Sequence, residues 1–179
     1  MIQRKVLTKE RADFLKKDYE RGFIKFCKLE AVSCEWGRFH SQVRIDETHR
    51  QQDGFIHAGV MATMADHTAG YSAFTIVPED RQILTVEFKI NFLRPAFGER
   101  LVCRARVIRE GRKIIVAESE VFDLRGERET PAAKAMVTLM AVPKAELMRH
   151  TRPEEFSGDD GEMIPGLISE RKSRDGLQE

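Results

Sequence analysis

The chain has 179 residues, of which 41% are hydrophobic and 33% charged, and its 30 basic and 29 acidic side chains leave a formal net charge of +1. This is the composition of one globular domain, and so small a net charge argues against broad attraction to nucleic acid or to a membrane surface. The N-terminus MIQRKVLTKE lacks the apolar run of a secretion signal, and no window approaches the ~18 continuous apolar residues of a membrane span. The three cysteines, Cys27, Cys34 and Cys103, form neither a zinc nor a disulfide pattern. We therefore expect a cytoplasmic protein with no membrane or nucleic-acid partner.

Two helices and six strands are predicted from the periodicity of apolar residues and from helix and turn signals. In chain order they are a short exposed helix over 8–22 with Thr8 as N-cap, strands over 28–34 and 38–45, a polar loop over 46–53, a helix from His57 to Phe74, and strands over 82–93, 101–110, 113–123 and 132–142. A charged turn is expected over 124–130. Gly111–Arg112 predicts a hairpin between two of the strands.

Two of the predicted strands carry apolar residues at every second position, which is typical of strands with one buried face. The first has Leu84, Val86, Phe88, Ile90 and Phe92 on the face that we expect to be buried. The last has Ala133, Ala135, Val137, Leu139 and Ala141 on one face. One long helix with a run of antiparallel strands predicts an α+β domain in which the sheet packs on that helix. No GxGxxG or GxxxxGK[ST] motif points to a nucleotide-binding fold.

The composition changes near residue 144, after which charged residues, prolines and glycines interrupt any period. We therefore divide the chain into an N-terminal helical segment, residues 1–27, a main domain, residues 28–143, and a charged C-terminal tail, residues 144–179, that we expect to pack loosely.

The central helix carries two different stripes at ~100° per residue. The bulky stripe, which we expect to face the sheet, consists of Val60, Met61, Met64, Thr68 and Tyr71. The second stripe surrounds Asp66 with small residues that let another backbone approach, namely Gly59, Ala62, Thr63, Ala69, Gly70 and Ala73. Because the domain offers no second long helix, the predicted partner is the same helix of a second copy in a two-fold dimer. The alternative is that a loop covers this stripe.

His57 and Asp66 are nine residues apart, which is ~13.5 Å along a helix, so they cannot hold the same atom within one chain. Two antiparallel helices would bring the start of one against the middle of the other. The free N–H groups of Ala58 and Gly59 would then bind a negatively charged oxygen, and Asp66 of the other chain would act as base or nucleophile on a carbonyl between them.

The run GFIHAGVMATMADHTAG, followed by TVEFKINFLRPA and the turn at residues 111–113, resembles the hotdog-fold acyl-CoA thioesterases, with the phenylacetate-pathway (PaaI-like) type as the nearest branch. The resemblance covers roughly residues 29–142. It implies a hotdog fold, in which a curved antiparallel sheet wraps a central helix, and a homodimer or a dimer of dimers. It also implies hydrolysis of an acyl- or aryl-CoA to the free acid and coenzyme A without a metal or redox cofactor, since coenzyme A is part of the substrate.

The same resemblance implies roles for individual residues. Asp66 would be the catalytic carboxylate, the N–H of Ala58 would hold the thioester oxygen with help from His57 and Gln51, and Thr85 would orient water. His57-Ala58-Gly59 replaces the family's frequent His-Gly-Gly, and the loop amide is often Asn instead of Gln51. The phosphates of coenzyme A would pair with Arg94, Arg112 and Lys113. Gly59 is also expected to contact the substrate.

Other interpretations of these residues stay open. Asp66 could be a structural capping residue, and the fold could serve as a dehydratase or hydratase, or as an acyl-CoA sensor that performs no chemistry. The five histidines lack any metal-binding spacing, and we expect no metal. Cys103 is expected to be core filler, and no GxSxG nucleophile motif occurs. The sequence does not identify the acyl group.

Overall fold

The computed structural model describes residues 6–147. Its elements are α1 (Lys9–Tyr19), α2 (Phe23–Phe26), β1 (Glu30–Glu35), β2 (Arg38–Arg44), a 3₁₀ turn (Glu47–His49), α3 (Ala58–Phe74), β3 (Arg81–Phe92), β4 (Arg100–Glu110), β5 (Ile114–Arg125), β6 (Arg128–Pro143) and α4 (Lys144–Leu147). The chain divides into a compact unit ending at Lys144 and a second unit beginning at Ala145, of which only the last three residues of α4 are described. Most of the predicted tail over 144–179 therefore lies outside the described residues, as do residues 1–5. Within residues 6–147, no helix is both long and apolar enough to cross a bilayer.

The six strands form one antiparallel sheet in the order β1-β2-β4-β5-β6-β3, and α3 packs on its concave face. The predicted α+β architecture is confirmed. In the central strand β5 every second side chain is buried: Ile115, Ala117, Ser119, Val121 and Asp123. The predicted apolar face of β6 is also buried along its whole length. These inward-facing residues, together with α3, form the core.

Helix α3 begins where the sequence predicts and buries Met61, Met64, Thr68 and Tyr71 against the sheet, whereas Val60 is half-buried. The predicted outer stripe of small residues is wrong at two positions. Ala69 and Ala73 are fully buried within the chain, because the curved sheet covers more of the helix than a flat one would. Gly59 stays exposed, and Ala62, Thr63, Asp66 and Gly70 are half-buried.

Strand β3 differs most from its prediction. It is an edge strand, and four of the five apolar side chains expected to be buried are exposed: Leu84, Val86, Phe88 and Phe92. They also do not share one face, because a β-bulge interrupts the ladder between Thr85 and Glu87. Thr85 lies opposite the buried Leu139 and Phe88 opposite the buried Val137, and directly opposed residues share a face. The extra residue thus puts Thr85 and Phe88 on the concave side and Leu84 on the convex side.

Two smaller predictions are corrected near the ends of the sheet. The predicted N-terminal helix is shorter, α1, with the predicted cap at Thr8, whose hydroxyl accepts from the Arg11 N–H (3.2 Å). It is not merely exposed, since Leu15 and Tyr19 are fully buried, and the unpredicted helix α2 follows it. The charged turn expected over 124–130 is only two residues long, because β5 and β6 pair up to Arg125 and Arg128.

Candidate active site

His57 caps the N-terminus of α3. Its backbone is extended (φ −62°, ψ 135°), and its Nδ1 accepts the N–H of Gly59 at 2.9 Å. A neutral ring whose Nδ1 accepts must carry its proton on Nε2, so His57 presents Nε2–H as a donor. The prediction of a free Gly59 N–H is therefore wrong, because this N–H is bonded to the side chain of His57. Gly59 has no side chain, and this lets its backbone approach the His57 ring closely.

Ala58, the first residue of α3, provides the available donor. Its N–H has no acceptor among residues 6–147, as expected for the first turn of a helix. Ala58 lies in a groove of about 460 Å³, which we call the Ala58 groove. The structure brings two other predicted site residues, Gln51 and Arg94, into the same groove, with apolar walls from Met61, Phe92 and Ala96. No carboxylate within residues 6–147 forms an ion pair with Arg94.

The loop before α3 is anchored by residues that sequence reasoning missed. The guanidinium of Arg50 donates to the carbonyls of Gly54 (2.8 Å) and Gly98 (3.2 Å), which ties the loop carrying Gln51 to the segment after β3. The buried His49 accepts the His57 N–H through its backbone carbonyl at 2.9 Å. The bond from Arg50 to Gly98 joins residues 48 apart in sequence, so no local signal could have revealed it.

The segment after β3 is held by Asp123 of β5, which sequence reasoning also missed. Its Oδ1 accepts the N–H of Gly98 at 2.8 Å, and its Oδ2 accepts from Arg125 at 3.0 Å. Asp123 is buried, and its place in the alternation of β5 marks it as inward-facing. A carboxylate at a core position was the one sequence signal that could have identified it.

Asp66 lies halfway along α3 and bonds directly to β3. The Thr85 hydroxyl donates to Asp66 Oδ1 at 2.8 Å. Thr85 lies on the concave side of β3 directly before the bulge, and this bond joins the two residues within one chain. Asp66 accepts no other hydrogen bond within the described residues, and its second oxygen is available.

The two halves of the site remain apart in a single chain. Asp66 and Ala58 are separated by eight residues of one helix, about 12 Å of rise. A thioester carbonyl contacting the Ala58 N–H is therefore out of reach of the same chain's Asp66.

Arg112 and Lys113 are not brought near Arg94 within the chain. The Lys113 carbonyl accepts from Ala141, which lies opposite Ile83 at the start of β3, whereas Arg94 follows the end of that strand. The distance between these positions along β3 is about 30 Å. Both residues are exposed at the β4–β5 turn.

Other chemical groups give little support to alternative reactions. Within residues 6–147, no three His, Cys, Asp or Glu side chains converge as metal ligands would. Burial raises the pKa of the Cys103 thiol to about 12, which keeps it protonated and unreactive at neutral pH.

Comparison with known proteins places these features in a family. A family model described as the thioesterase superfamily matches residues 53–130, which include α3 and β3. The crystal structure of a thioesterase family protein from Silicibacter pomeroyi is 34% identical, with a TM-score of 0.70, over 73% of this chain and 98% of that one.

Two further relatives carry more specific names. The medium/long-chain acyl-CoA thioesterase YigI of Escherichia coli is 34% identical over 98 residues, 48% of this chain and 61% of that protein. The 1,4-dihydroxy-2-naphthoyl-CoA hydrolase of Listeria monocytogenes is 27% identical over 95 residues, 53% of this chain and 77% of that protein. Together with a sheet that wraps one central helix, these likenesses show that the chain belongs to the thioesterase superfamily and has the hotdog fold.

Proposed function

We propose that the protein hydrolyses an acyl- or aryl-coenzyme A thioester to the free acid and coenzyme A, in two composite sites of a homodimer. The bond from Thr85 to Asp66 carries this proposal, because it fixes a carboxylate on the open side of α3 and leaves one of its oxygens available. The names of the relatives from E. coli and L. monocytogenes support coenzyme A thioesters as substrates. We include the phenylacetate-pathway (PaaI-like) type in the proposal, on the motif from His57 to Asp66.

The dimer follows from two unpartnered surfaces. Strand β3 ends the sheet with exposed apolar side chains, and the outer side of α3 carries small residues such as Gly59 and Ala62. A two-fold axis beside β3 would pair the two edges and set the two α3 helices antiparallel. The Ala58 N–H of one chain would then face the partner's Asp66.

This arrangement supplies both parts of a thioester hydrolase. The Ala58 N–H, with Gln51 and His57 beside it, binds the carbonyl oxygen and stabilises its negative charge as the tetrahedral intermediate forms. The partner's Asp66 takes a proton from water while the water oxygen bonds to the carbonyl carbon, and Thr85 orients that carboxylate. The intermediate then expels the coenzyme A thiolate, which takes the proton. These steps need neither a metal nor a redox cofactor.

Coenzyme A also requires cations for its phosphates. Arg94 has no acidic partner in the described chain and lies in the Ala58 groove. Antiparallel pairing of two β3 strands would bring the partner's Arg112 and Lys113 toward this end of the groove, because the start of one strand then meets the end of the other. The distance of Arg112 and Lys113 from Arg94 within one chain therefore agrees with a phosphate site formed by residues of both chains.

Asp66 could act as general base or as nucleophile, and isotope labelling distinguishes the two. In a single turnover in ¹⁸O water, a general base transfers the label directly to the product acid. A nucleophile forms an anhydride with the acyl group first, and water that opens this anhydride at the Asp66 carbonyl leaves ¹⁸O in Asp66. Label found in Asp66 after one turnover therefore identifies a nucleophile.

The test of the proposal combines two variants. Asp66→Asn and Ala58→Pro are each expected to abolish most release of free thiol from a panel of acyl- and aryl-CoA substrates. Co-expression of the two chains should restore about a quarter of wild-type activity, because half of randomly paired dimers are mixed and each has one intact site.

Near-normal turnover by Asp66→Asn would refute the catalytic role of Asp66. Mixed dimers without activity would refute the composite site. Tight binding of acyl-CoA without cleavage by the wild type would instead favour a sensor.

A further inference from the structure

A second groove lies on the other side of the α3 N-terminus from the Ala58 groove. It has a volume of about 590 Å³, within the range of about 300–1,000 Å³ that is usual for small-molecule sites. We call it the Phe26 groove. Its lining includes residues of α2, the segment after it, the N-cap of α3 and the first turns of α3: Phe23, Phe26, Cys27, His57, Val60 and Thr63.

The α2 side of this groove exposes an unusual amount of aromatic surface. Phe23 is 65% and Phe26 82% exposed, and their rings stack with centroids 6.5 Å apart. Two adjacent exposed aromatic rings in a folded chain are typical of a binding surface. They lie outside residues 53–130, the part of the chain that matches the family model.

The charge distribution indicates what the groove accepts. Its two cationic residues are both engaged within the chain: Lys28 pairs with Asp46, and Arg50 donates to the carbonyls of Gly54 and Gly98. Arg94, which has no acidic partner in the described chain, lies in the Ala58 groove instead. A phosphate-bearing arm is therefore better matched by the Ala58 groove, and an uncharged apolar arm by the Phe26 groove.

The two grooves meet at the start of α3, because the Phe26 groove includes His57 and Gly59 and the Ala58 groove includes Ala58. A thioester carbonyl bound at the Ala58 N–H has two arms that must leave in different directions. We infer that the Phe26 groove binds the apolar acyl chain of the substrate, and that Phe23 and Phe26 make the enzyme prefer medium or longer acyl groups to acetyl. This inference rests on the proposed thioester hydrolysis.

The dependence of kcat/KM on the length of the acyl chain tests the inference. For the wild type, kcat/KM should rise about fourfold for each added methylene, the value for a fully buried CH₂ group, until the groove is filled. Phe26→Ala should lower kcat/KM at least tenfold for octanoyl-CoA and less than twofold for acetyl-CoA, and Phe26→Leu should recover part of the loss. Phe14→Ala is the matched control, since Phe14 is a 51% exposed phenylalanine on α1 that does not line the groove. An unchanged length profile in both Phe26→Ala and Phe23→Ala would overturn the inference.

A binding measurement separates this inference from the proposed reaction. The S-octyl thioether of coenzyme A has no carbonyl and cannot be hydrolysed, so its affinity relative to coenzyme A reports the acyl site alone. Wild type should bind S-octyl-CoA at least tenfold more tightly than coenzyme A, and Phe26→Ala should lose this advantage. If this holds but no thioester is cleaved, the proposed function fails and the groove assignment stands. Equal affinities in the wild type, or a change of oligomeric state in Phe26→Ala with unaltered selectivity, would refute the assignment.

Discussion

The two flanks of helix α3 contain similar residue types with opposite hydrogen-bonding status. On the flank that faces α1, polar groups are paired within the chain. The Tyr71 hydroxyl donates to Asp18 at 2.8 Å, a ring nitrogen of His67 donates to the Tyr19 carbonyl at 3.1 Å, and the Tyr19 hydroxyl meets Thr68 at 3.2 Å. The Tyr19 ring also stacks on Phe39.

On the flank that faces β3, polar groups are only partly paired, and apolar groups are exposed. Asp66 has a single partner, the Ala58 N–H has none within residues 6–147, and Phe88 and Phe92 of β3 lie 39% and 47% exposed. One flank therefore stabilises the fold, whereas the other leaves groups open that, in our proposal, serve a substrate and a second chain. Substitutions on the first flank should change stability, and substitutions on the second should change activity.

Ala58→Pro should have the largest effect on the β3 flank. It removes one N–H at the first helical position, where proline is well tolerated, and the ψ of 135° at His57 suits a residue that precedes proline. We expect kcat to fall about 100–1,000-fold, the usual cost of one oxyanion donor, with Tm nearly unchanged. Thiol release and thermal unfolding measure the two effects. Ala58→Ser retains the N–H and should stay within a few-fold of wild type; equal activity of the two variants would exclude this N–H as the donor.

Leu15→Ala should have the largest effect on the α1 flank. Leu15 is 1% exposed in the core, and truncation of such a side chain costs about 2–5 kcal/mol in the free energy of unfolding. We expect Tm to fall roughly 5–15 °C while kcat of the remaining folded protein stays close to wild type. Its neighbour Phe14, which is exposed, provides the control, since Phe14→Ala should shift Tm little. A large loss of kcat at full folding in Leu15→Ala would show that the two flanks are not independent.

Thr85→Val should reduce activity by a smaller factor. The substitution keeps the shape but removes the hydroxyl that donates to Asp66, and Thr85 is exposed, so no buried group loses a partner that it needs for stability. A hydrogen bond to a carboxylate contributes about 1.5–3 kcal/mol, which predicts a loss of kcat of about tenfold to a hundredfold. Thr85→Ser should retain most activity. If Thr85→Val were as active as wild type, Asp66 would not need this bond for its orientation.

The contrast between β3 and β5 shows how far the sequence predicts the fold. Both were correctly predicted as strands, but only β3 alternates apolar and polar residues in sequence. In β5 every second side chain is nevertheless buried, because strands lie on both sides of it. In β3 the sequence alternation does not give burial, because the strand has no neighbour on one side and a bulge changes the face that its residues occupy. Periodicity specifies which side chains share a face, but it specifies neither the neighbour of that face nor a bulge.

The candidate site was predictable where it is local. His57 as the cap of α3, Ala58 at its first turn and Asp66 nine residues on follow from one helix, and their positions agree with the prediction. The bond from Thr85 to Asp66 joins residues 19 apart and required the bulge to be known. The Phe26 groove and the anchoring by Arg50 could not be predicted, since each depends on how distant segments pack.

The smallest expected effect concerns pH and the α1 flank. Burial lowers the pKa of His67 below its usual 6.5, and its ring packs between Tyr19 and Tyr71 with centroids 4.6 and 4.8 Å away. In the unfolded chain His67 takes up a proton near pH 6.5, whereas in the folded chain it does so only at lower pH. Stability should therefore fall as pH decreases below about 6.5, by at most about 1.4 kcal/mol per pH unit.

His67→Gln keeps a donor for the Tyr19 carbonyl but does not titrate, so it should flatten the dependence of Tm on pH between 7 and 5. His40 is the second group that titrates in this pH range with a lowered pKa. Burial is the larger cause and the positive charge of Arg104 the next. His40→Gln measures its contribution to the pH dependence separately. Asp46 contributes only in more acidic solution, since its hydrogen bond from Lys28 holds its pKa below the usual value.

Activity should be unaffected by His67→Gln at pH 7, because the ring is bonded on the α1 flank and not on the flank that carries Ala58. An unchanged pH slope would mean that His67 has the same pKa in the folded and the unfolded chain. A loss of kcat at pH 7 would mean that the paired flank takes part in catalysis.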